Sequence, residues 1–241
     1  MPRFFLKTVE GDTLTVSGQD AVHIRRSLRM AVGDTLTLCD GRGTDCTALI
    51  REFSGEDVVL TPLSRRKSDS EPTCAVTLYQ GLPKGDKMEW IIQKAVELGV
   101  TRIVPVQMTR CVAVVNDKGR ADKKIARWQK IADEAAGQSG RGILPVVQDI
   151  LSFKEAAARL SGELTLLCYE GGGKPLSAVV GRDTAAVSLV VGPEGGIDQS
   201  EVTRLTDGGA HLITLGKRIL RCETAPLAAL SALMTLTGNM E

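Results

Sequence analysis

Histidine is scarce in these 241 residues: only His23 and His211 occur, far apart, and neither has a metal partner nearby in sequence. The six cysteines, Cys39, Cys46, Cys74, Cys111, Cys168 and Cys222, form no C-x-x-C pair. No metal site is therefore expected, and sparse thiols in a chain this long point to a reduced, cytoplasmic protein. No run approaches the roughly 18 apolar residues that a membrane-spanning helix needs. Met1 to Glu10 carry no signal-peptide core, so neither a membrane span nor a secretory leader is expected. Familiar nucleotide and hydrolase signatures are missing too. No G-x-G-x-x-G follows an apolar run, Gly216-Lys217 lacks the flanking residues of a P-loop, and there is no G-x-S-x-G elbow.

What remains is ordinary globular composition, 43% hydrophobic and 24% charged, long enough for one large domain or two moderate ones. The net charge of +1 hides local imbalance. Eight Lys/Arg residues fall between Arg102 and Lys130 against Asp117 and Asp122. Smaller clusters are Arg25-Arg26-Arg29, Arg65-Arg66-Lys67 and Lys217-Arg218-Arg221. Such a stripe is either a phosphate-backbone footprint or a solvated helix face.

Residues 1 to 68 alternate short apolar stretches with turn signals (Gly11-Asp12, Gly33-Asp34, Asp40-Gly41-Arg42-Gly43, Ser54-Gly55), the pattern of a small β-barrel or sandwich. Gln19 to Met30 reads as a helical insert with Val22, Leu28 and Met30 inward. Ser64 to Pro72 is polar and aperiodic, which predicts a linker. From Thr73 the pattern becomes strand, helix, strand. Cys74–Gln80 reads as a strand. Asp86 and Glu89 have capping-box spacing before a helix with Met88, Ile91, Ile92, Ala95 and Leu98 inward, ending at Gly99. Arg102–Gln107 is the next strand and Lys123–Gly137 the next helix, with Ile125, Trp128, Ile131 and Ala135 on one side. Asp198 and Glu201 repeat the capping spacing. Thr224 or Ala225 starts a last helix with Pro226 in its first turn. The expected architecture is an α/β domain with a mainly parallel sheet over residues 73–241, after a barrel over residues 1–68.

Three apolar runs each spill into a glycine loop: Leu164–Cys168 before Tyr169-Glu170-Gly171-Gly172-Gly173, Val187–Val191 before Gly192-Pro193-Glu194-Gly195-Gly196, and Leu212–Leu215 before Gly216-Lys217-Arg218. Runs of this kind are strands buried on both faces. Ligands of open parallel sheets sit beyond the carboxyl ends of the strands. The three loops thus predict one small-molecule pocket made mostly of backbone. A turn that merely reversed the chain would need two or three residues, fewer than Gly192–Gly196 offers. Glu194 is placed either to hold that loop's shape or to act as an acid or base. In Leu215–Pro226, cations precede a helix N-terminus, where the helix dipole disfavours them. They call for an anionic ligand or for a salt-bridged loop using Glu223.

Gly192-Pro193-Glu194-Gly195-Gly196 followed by Leu215-Gly216-Lys217-Arg218-Ile219-Leu220-Arg221-Cys222-Glu223-Thr224-Ala225 resembles the paired signature of the 16S ribosomal RNA (uracil-N3) methyltransferases. That family is also called ribosomal RNA small subunit methyltransferase E, within the SPOUT class. Arg3-Phe4-Phe5, His23…Leu28-Arg29-Met30, Lys84–Glu89, Gln93–Val100 and Arg127…Arg141 add to the likeness in order along the chain. Ser27 and Val96 depart from the family's usual residues. The resemblance implies a PUA-like barrel that binds RNA, a knotted SPOUT α/β domain, a homodimer and S-adenosylmethionine as methyl donor. It implies donor contacts at Leu167, Tyr169, Glu170, Gly171, Val191, Gly192, Pro193, Glu194, Gly195, Gly196, Leu215, Gly216, Ile219, Leu220, Arg221, Thr224 and Ala225. Arg221 and Glu223 are the expected catalytic groups. Arg3, His23, Arg25, Arg26, Arg29, Lys84, Lys87, Arg110, Arg127 and Arg141 are the expected contacts to 16S rRNA or the small ribosomal subunit. Two other readings stay open: a SPOUT enzyme acting on a ribose 2′-hydroxyl or on tRNA, and a non-catalytic RNA-binding or assembly protein.

Overall fold

In a computed structural model that describes residues 1–115 and 117–241, the chain divides into two compact units. The first comprises Met1–Glu71 with Ala136–Leu144, and the second Pro72–Ala135 with Pro145–Glu241. The sequence had placed everything after residue 73 in one domain. Ala136–Leu144 instead packs in the first unit, where Leu144 N–H donates to Gly41 O at 3.0 Å and Gly43 N–H to Gly142 O at 3.0 Å.

The first unit holds strands β1 (Arg3–Phe5), β2 (Leu14–Val16), β3 (Thr35–Cys39), β4 (Thr44–Ser54) and β5 (Asp57–Lys67) in the order β1-β3-β4-β5-β2. Only the β1–β3 pair is parallel. Alternate residues Leu36, Leu38, Ala48, Ile50, Val58 and Leu60 point into one apolar core with Phe4, Val16, Ala21 and Ile24. Ser64–Lys67, expected in the linker, finish β5: polar side chains do not prevent a strand whose backbone pairs with Thr44–Thr47. Helix α1 (Gly18–Val22) continues as a wider π-turn over His23–Ser27, with Leu28 N–H donating to His23 O at 3.0 Å. The extra residue in that turn shifts the helical phase beyond it and turns Leu28 outward. Ala21 and Ile24 are buried instead of the expected Val22 and Leu28, which are exposed; Met30 is partly buried against the core.

The second unit is a parallel sheet of β6 (Ala75–Gly81), β7 (Arg102–Gln107), β8 (Val146–Val147), β9 (Leu151–Ser152), β10 (Thr165–Cys168), β11 (Lys174–Pro175), β12 (Ala186–Val191) and β13 (His211–Thr214). The order is β11-β13-β10-β12-β6-β7-β8, with β9 also on β7. Its central members are continuous apolar runs because helices cover the sheet. Helix α2 (Lys87–Glu97) buries Met88, Ile91, Ile92, Ala95 and Val96. Asp86 precedes it but makes no side-chain cap, and Glu89 turns to Arg127 at 2.8 Å. Helix α3 (Lys118–Gln138) starts earlier than its apolar period suggested, because the Asp117 carboxylate accepts from Arg120 N–H at 2.8 Å. Helices α4 (Phe153–Leu160) and α5 (Gln199–Asp207) both open on complete capping boxes, Ser152/Glu155 and Asp198/Glu201. Helix α6 (Ala225–Leu236) follows Thr224, with Pro226 in its first turn. Among the described residues no helix is long and apolar enough to cross a membrane.

Candidate functional site

Strands β13, β10, β12 and β6 are neighbours and parallel, so the segments after them emerge along one edge of the sheet. A pocket of about 490 Å³ lies there. Its walls are Cys168, Tyr169 and Glu170 after β10, Val191–Ile197 after β12, Thr214–Glu223 after β13, Ala225 of α6 and Lys87 of α2. The volume is that of a site for one small molecule.

Close backbone packing shapes the wall. A Cβ on Gly81, at the end of β6, would sit 2.6 Å from Pro193 N. A Cβ on Gly195 would sit 3.0 Å from both the Cβ and the carbonyl oxygen of Arg110. Glycine at 195 is thus demanded by the neighbouring chain as much as by any ligand. Beneath the loop, wholly buried Gln80 donates through Nε2 to Gly81 O at 3.1 Å and Gly192 O at 3.4 Å. Buried Glu201 accepts from both the N–H (2.8 Å) and the hydroxyl (3.0 Å) of Thr109, fixing the segment that carries Arg110. Arg110 then reaches Asp198 at 3.3 Å and Gly195 O at 3.4 Å. Tyr169 donates its hydroxyl to Gln199 at 3.1 Å.

The charged floor is a clamp. Lys87 Nζ lies 2.9 Å from Glu194 Oε1 and 3.3 Å from Glu223 Oε2, and 4.0 Å from Cys222 Sγ. The same Glu194 oxygen accepts from Lys84 N–H at 3.0 Å, and Cys222 donates its thiol to Glu223 Oε2 at 3.2 Å. One ammonium therefore joins the loop after β12 to the loop after β13. Burial by itself would raise Glu194, but hydrogen bonds from Lys87 and from the backbone N–H groups of Glu194 and Lys84 outweigh it and hold the carboxyl below its usual range. Glu223 is lowered in the same way, its burial outweighed by Cys222, its own N–H and Lys87. Lys87 is raised, chiefly by its hydrogen bond to Glu194. The Cys222 thiol is pushed up to about 12, first by burial and then by the bond to Glu223, so it stays protonated as a donor. In the loop after β13, the backbone N–H groups of Lys217–Arg221 donate to no protein acceptor among the described residues.

Of the residues expected at the donor site, Tyr169, Glu170, Val191, Gly192, Pro193, Glu194, Gly195, Gly196, Leu215, Gly216, Ile219, Leu220, Arg221 and Ala225 meet around this one cavity, and so does Glu223. Leu167, Gly171 and Thr224 do not line it: Leu167 is buried within β10. Lys87, expected on RNA, also lines the pocket. Cys168, Ile197, Thr214, Lys217, Arg218 and Cys222 line it without having been singled out for it. Several expected RNA contacts are occupied internally. Arg3 is bidentate to Asp45 at 2.7 and 2.8 Å. Arg25 donates to Gly55 O (2.6 Å) and Asp57 O (2.7 Å) and stacks 4.8 Å over Phe53. Arg141 is 3% exposed and paired with Glu71 at 2.7 Å, so it cannot reach a phosphate. His23 is exposed and edge-on to Phe4. Arg26, Arg29 and Lys84 are exposed, and exposed Arg127 pairs with Glu89.

Residues 69–234 match the RNA methyltransferase domain family and residues 16–63 the RNA methyltransferase PUA domain. The chain is 38% identical, over 97% of its length and 96% of the relative's, to a ribosomal RNA small subunit methyltransferase E of Bacillus subtilis. It is 32% identical to one of Mycobacterium bovis, over 99% and 93%. The structure of a ribosomal RNA small subunit methyltransferase E from Neisseria gonorrhoeae, solved bound to S-adenosyl methionine, superposes with a TM-score of 0.86 at 36% identity, covering 98% of each chain. With a shared domain across most of its length and these relatives end to end, the chain belongs to the ribosomal RNA small subunit methyltransferase E family.

Proposed function

We propose that this protein transfers the methyl group of S-adenosylmethionine to N3 of a uridine in the 16S rRNA of the small ribosomal subunit. The observation that carries the reading is the backbone-walled pocket, with Arg221 and Glu223 on its wall. Its size suits the donor, and the open N–H groups of Lys217–Arg221 suit the polar edge of an adenosine. The loops 192–196 and 215–221, with Tyr169 and Glu170, would hold it. The donor supplies an electrophilic methyl group on a sulfonium. The SPOUT knot, a homodimer and a cytoplasmic location belong to the same reading, and the strand order, with β13 between β10 and β11 and β12 between β10 and β6, is consistent with the knot.

The chain's own task is to admit a uracil unstacked from its RNA and to manage its N3 proton. Arg221 is exposed on the pocket wall with no ion-pair partner among the described residues, so its guanidinium is free to donate to a uracil oxygen as charge develops there. Lys87 and Cys222 both engage Oε2 of Glu223, which leaves Oε1 to accept the N3–H. A depressed carboxylate is a weak base, but N3–H grows more acidic as the new N–C bond forms, so the proton leaves late. Positioning then contributes most of the acceleration.

The test is methylation of small subunits that lack the modification, followed by nuclease digestion and mass spectrometry. 3-Methyluridine in 16S rRNA is expected. Methyl groups found on ribose, or in tRNA but not in rRNA, would overturn the assignment.

A further inference from the structure

Most of the cations between Arg102 and Lys130 gather, on folding, along one helix. Arg120, Lys123, Arg127 and Lys130 recur at helical spacing, so they share one face of α3, and all of them are exposed. They form a stripe about 15 Å long. Lys124 borders it, 5.5 Å over the Trp128 ring. Glu89 meets Arg127 at 2.8 Å and Glu134 meets Lys130 at 3.7 Å. Arg120, Lys123 and Lys124 have no carboxylate within ion-pair distance among the described residues. The stripe works against the helix that carries it. The first turn holds Lys118 and Arg120 and no acid, the reverse of what the helix dipole favours, and the carboxylate of Asp117 just before it is the one offset. Arg120 and Lys124, and Lys123 and Arg127, are like charges one turn apart, which costs helix stability. A face made only to be wet would interleave acids among its cations. The unmatched charge calls for a polyanion. Its place fits one as well. Strand β7 runs parallel to β6 and β12, so the chain leaves it on the same edge of the sheet as the pocket loops. Arg110, just past that edge, touches Gly195 O on the pocket wall at 3.4 Å, and α3 begins soon after, at Lys118.

We propose that the exposed face of α3 is a track for the phosphate backbone of the RNA, gripping it to one side of the nucleotide that enters the pocket. This rests on the reading that the enzyme acts on RNA. Each lysine or arginine set against a phosphate releases counterions and reads no base, so the stripe supplies affinity and register without sequence choice. The target base is selected at the pocket, and α3 takes no part in the chemistry. The track also gives the RNA a hold that Arg3, Arg25 and Arg141 do not, since their guanidinium groups are engaged internally.

The experiment uses the full chain, S-adenosylmethionine and two RNAs: unmodified 16S rRNA transcript and small subunits lacking the modification. One variant replaces Arg120, Lys123 and Lys124 by Gln, which keeps the helix. RNA binding should weaken roughly ten- to a hundredfold near about 0.15 M salt, and the plot of log affinity against log salt should flatten by about 2 to 3 units. KM for RNA should rise while kcat stays within about twofold of wild type, the mark of lost uniform binding. Donor affinity by calorimetry and mass by light scattering should match wild type, and the thermal midpoint should hold or rise as like-charge repulsion is relieved. Exchanging lysine and arginine at the same positions (Arg120→Lys, Lys123→Arg, Lys124→Arg) should behave as wild type, because phosphates answer charge. A control neutralises Arg51, Arg66 and Arg182, exposed cations that each have a carboxylate partner. It removes the same charge and should move the slope by less than about half a unit. An unchanged slope in the α3 variant overturns the track, and so does equal flattening in the control, which would leave α3 with only its share of the overall charge. A change in mass would make the face a contact between copies, and a loss on small subunits but not on transcript would make it a contact to a ribosomal protein; either result overturns the track. A wild-type chain that binds neither RNA overturns the functional reading along with it, whereas wild-type binding with an indifferent α3 variant overturns the track alone.

Discussion

Lys87→Met removes the ammonium that joins two loops of the pocket while keeping a side chain of similar length. Glu194 and Glu223 each lie within 3.3 Å of that nitrogen, so their oxygens are no more than about twice that distance apart. In wild type both carboxyls are depressed. Their contribution is present above their unfolded pKa near about 4.3 and is lost as pH falls through the lower folded value. Lys87 is raised, so its contribution is present below about 10.4 and is lost only as pH climbs past the higher folded value. The clamp is therefore complete from roughly pH 5 to pH 10. Without the ammonium, two like charges about 6 Å apart near a protein surface should raise the second ionisation by roughly half a unit to two units. Methyl transfer to unmodified 16S rRNA should acquire an acidic limb between roughly pH 5 and 6.5 that wild type lacks. At pH 8 turnover should fall roughly 10- to 100-fold, the scale of a misplaced positioning group. Lys87→Arg keeps the charge and should keep the flat acidic profile. Wild-type turnover in Lys87→Met, with no new limb, would show that the two loops hold their places without the clamp.

Other consequences follow from the same geometry. Gly195→Val should weaken donor binding more than tenfold and destabilise the second unit by about 1–3 kcal/mol, because its Cβ would stand 3.0 Å from the Arg110 carbonyl oxygen; calorimetry and thermal unfolding measure the two effects. Arg221→Ala should lower turnover by about 10²–10³ with donor affinity within a few-fold of wild type, and Arg221→Lys should recover little because the fork geometry is lost; loss of donor binding with unchanged single-turnover methylation would move the catalytic role elsewhere. Arg25→Ala should destabilise the first unit by about 1.5–3 kcal/mol, since its guanidinium carries the Gly55 and Asp57 carbonyls. Replacing Arg26 and Arg29 should leave stability alone and test RNA contact through the salt slope of binding. Arg141→Met strands the half-buried Glu71, whose burial is now outweighed by Arg141 and the N–H groups of Ile143 and Gly142, and should cost about 3–5 kcal/mol in urea unfolding at pH 7. That penalty should shrink as pH falls and Glu71 protonates.

The pocket was legible in sequence because its carrier is local. Val187–Val191 is apolar at every position but Ser188 and ends at Gly-Pro, which leaves little but a buried strand with a backbone loop at its carboxyl end; β12 spans Ala186–Val191 and its loop lines the cavity. Thr165–Cys168 and His211–Thr214 obey the same logic. The errors share a different cause. After α1 a turn widened by one residue moves Leu28 off the face that Ile24 buries, which a regular 3.6-residue period does not foresee, and small Ala21 takes the inward place expected of Val22. Arg25 and Arg141 look in sequence like any surface arginine. Their partners lie 30 and 70 residues away along the chain, two of them are backbone carbonyls, and no local pattern marks such a pairing. Lys87 is the extreme case, because its carboxylates are supplied from 107 residues away in Glu194 and from the loop of Glu223 beyond it. A glycine loop declares itself through its own backbone, whereas a charge is neutral evidence until the fold supplies its counter-charge. The charges that stay unpaired after folding are therefore the informative ones, and among the described residues Lys217, Arg218 and Arg221 gather at one place, the mouth of the pocket.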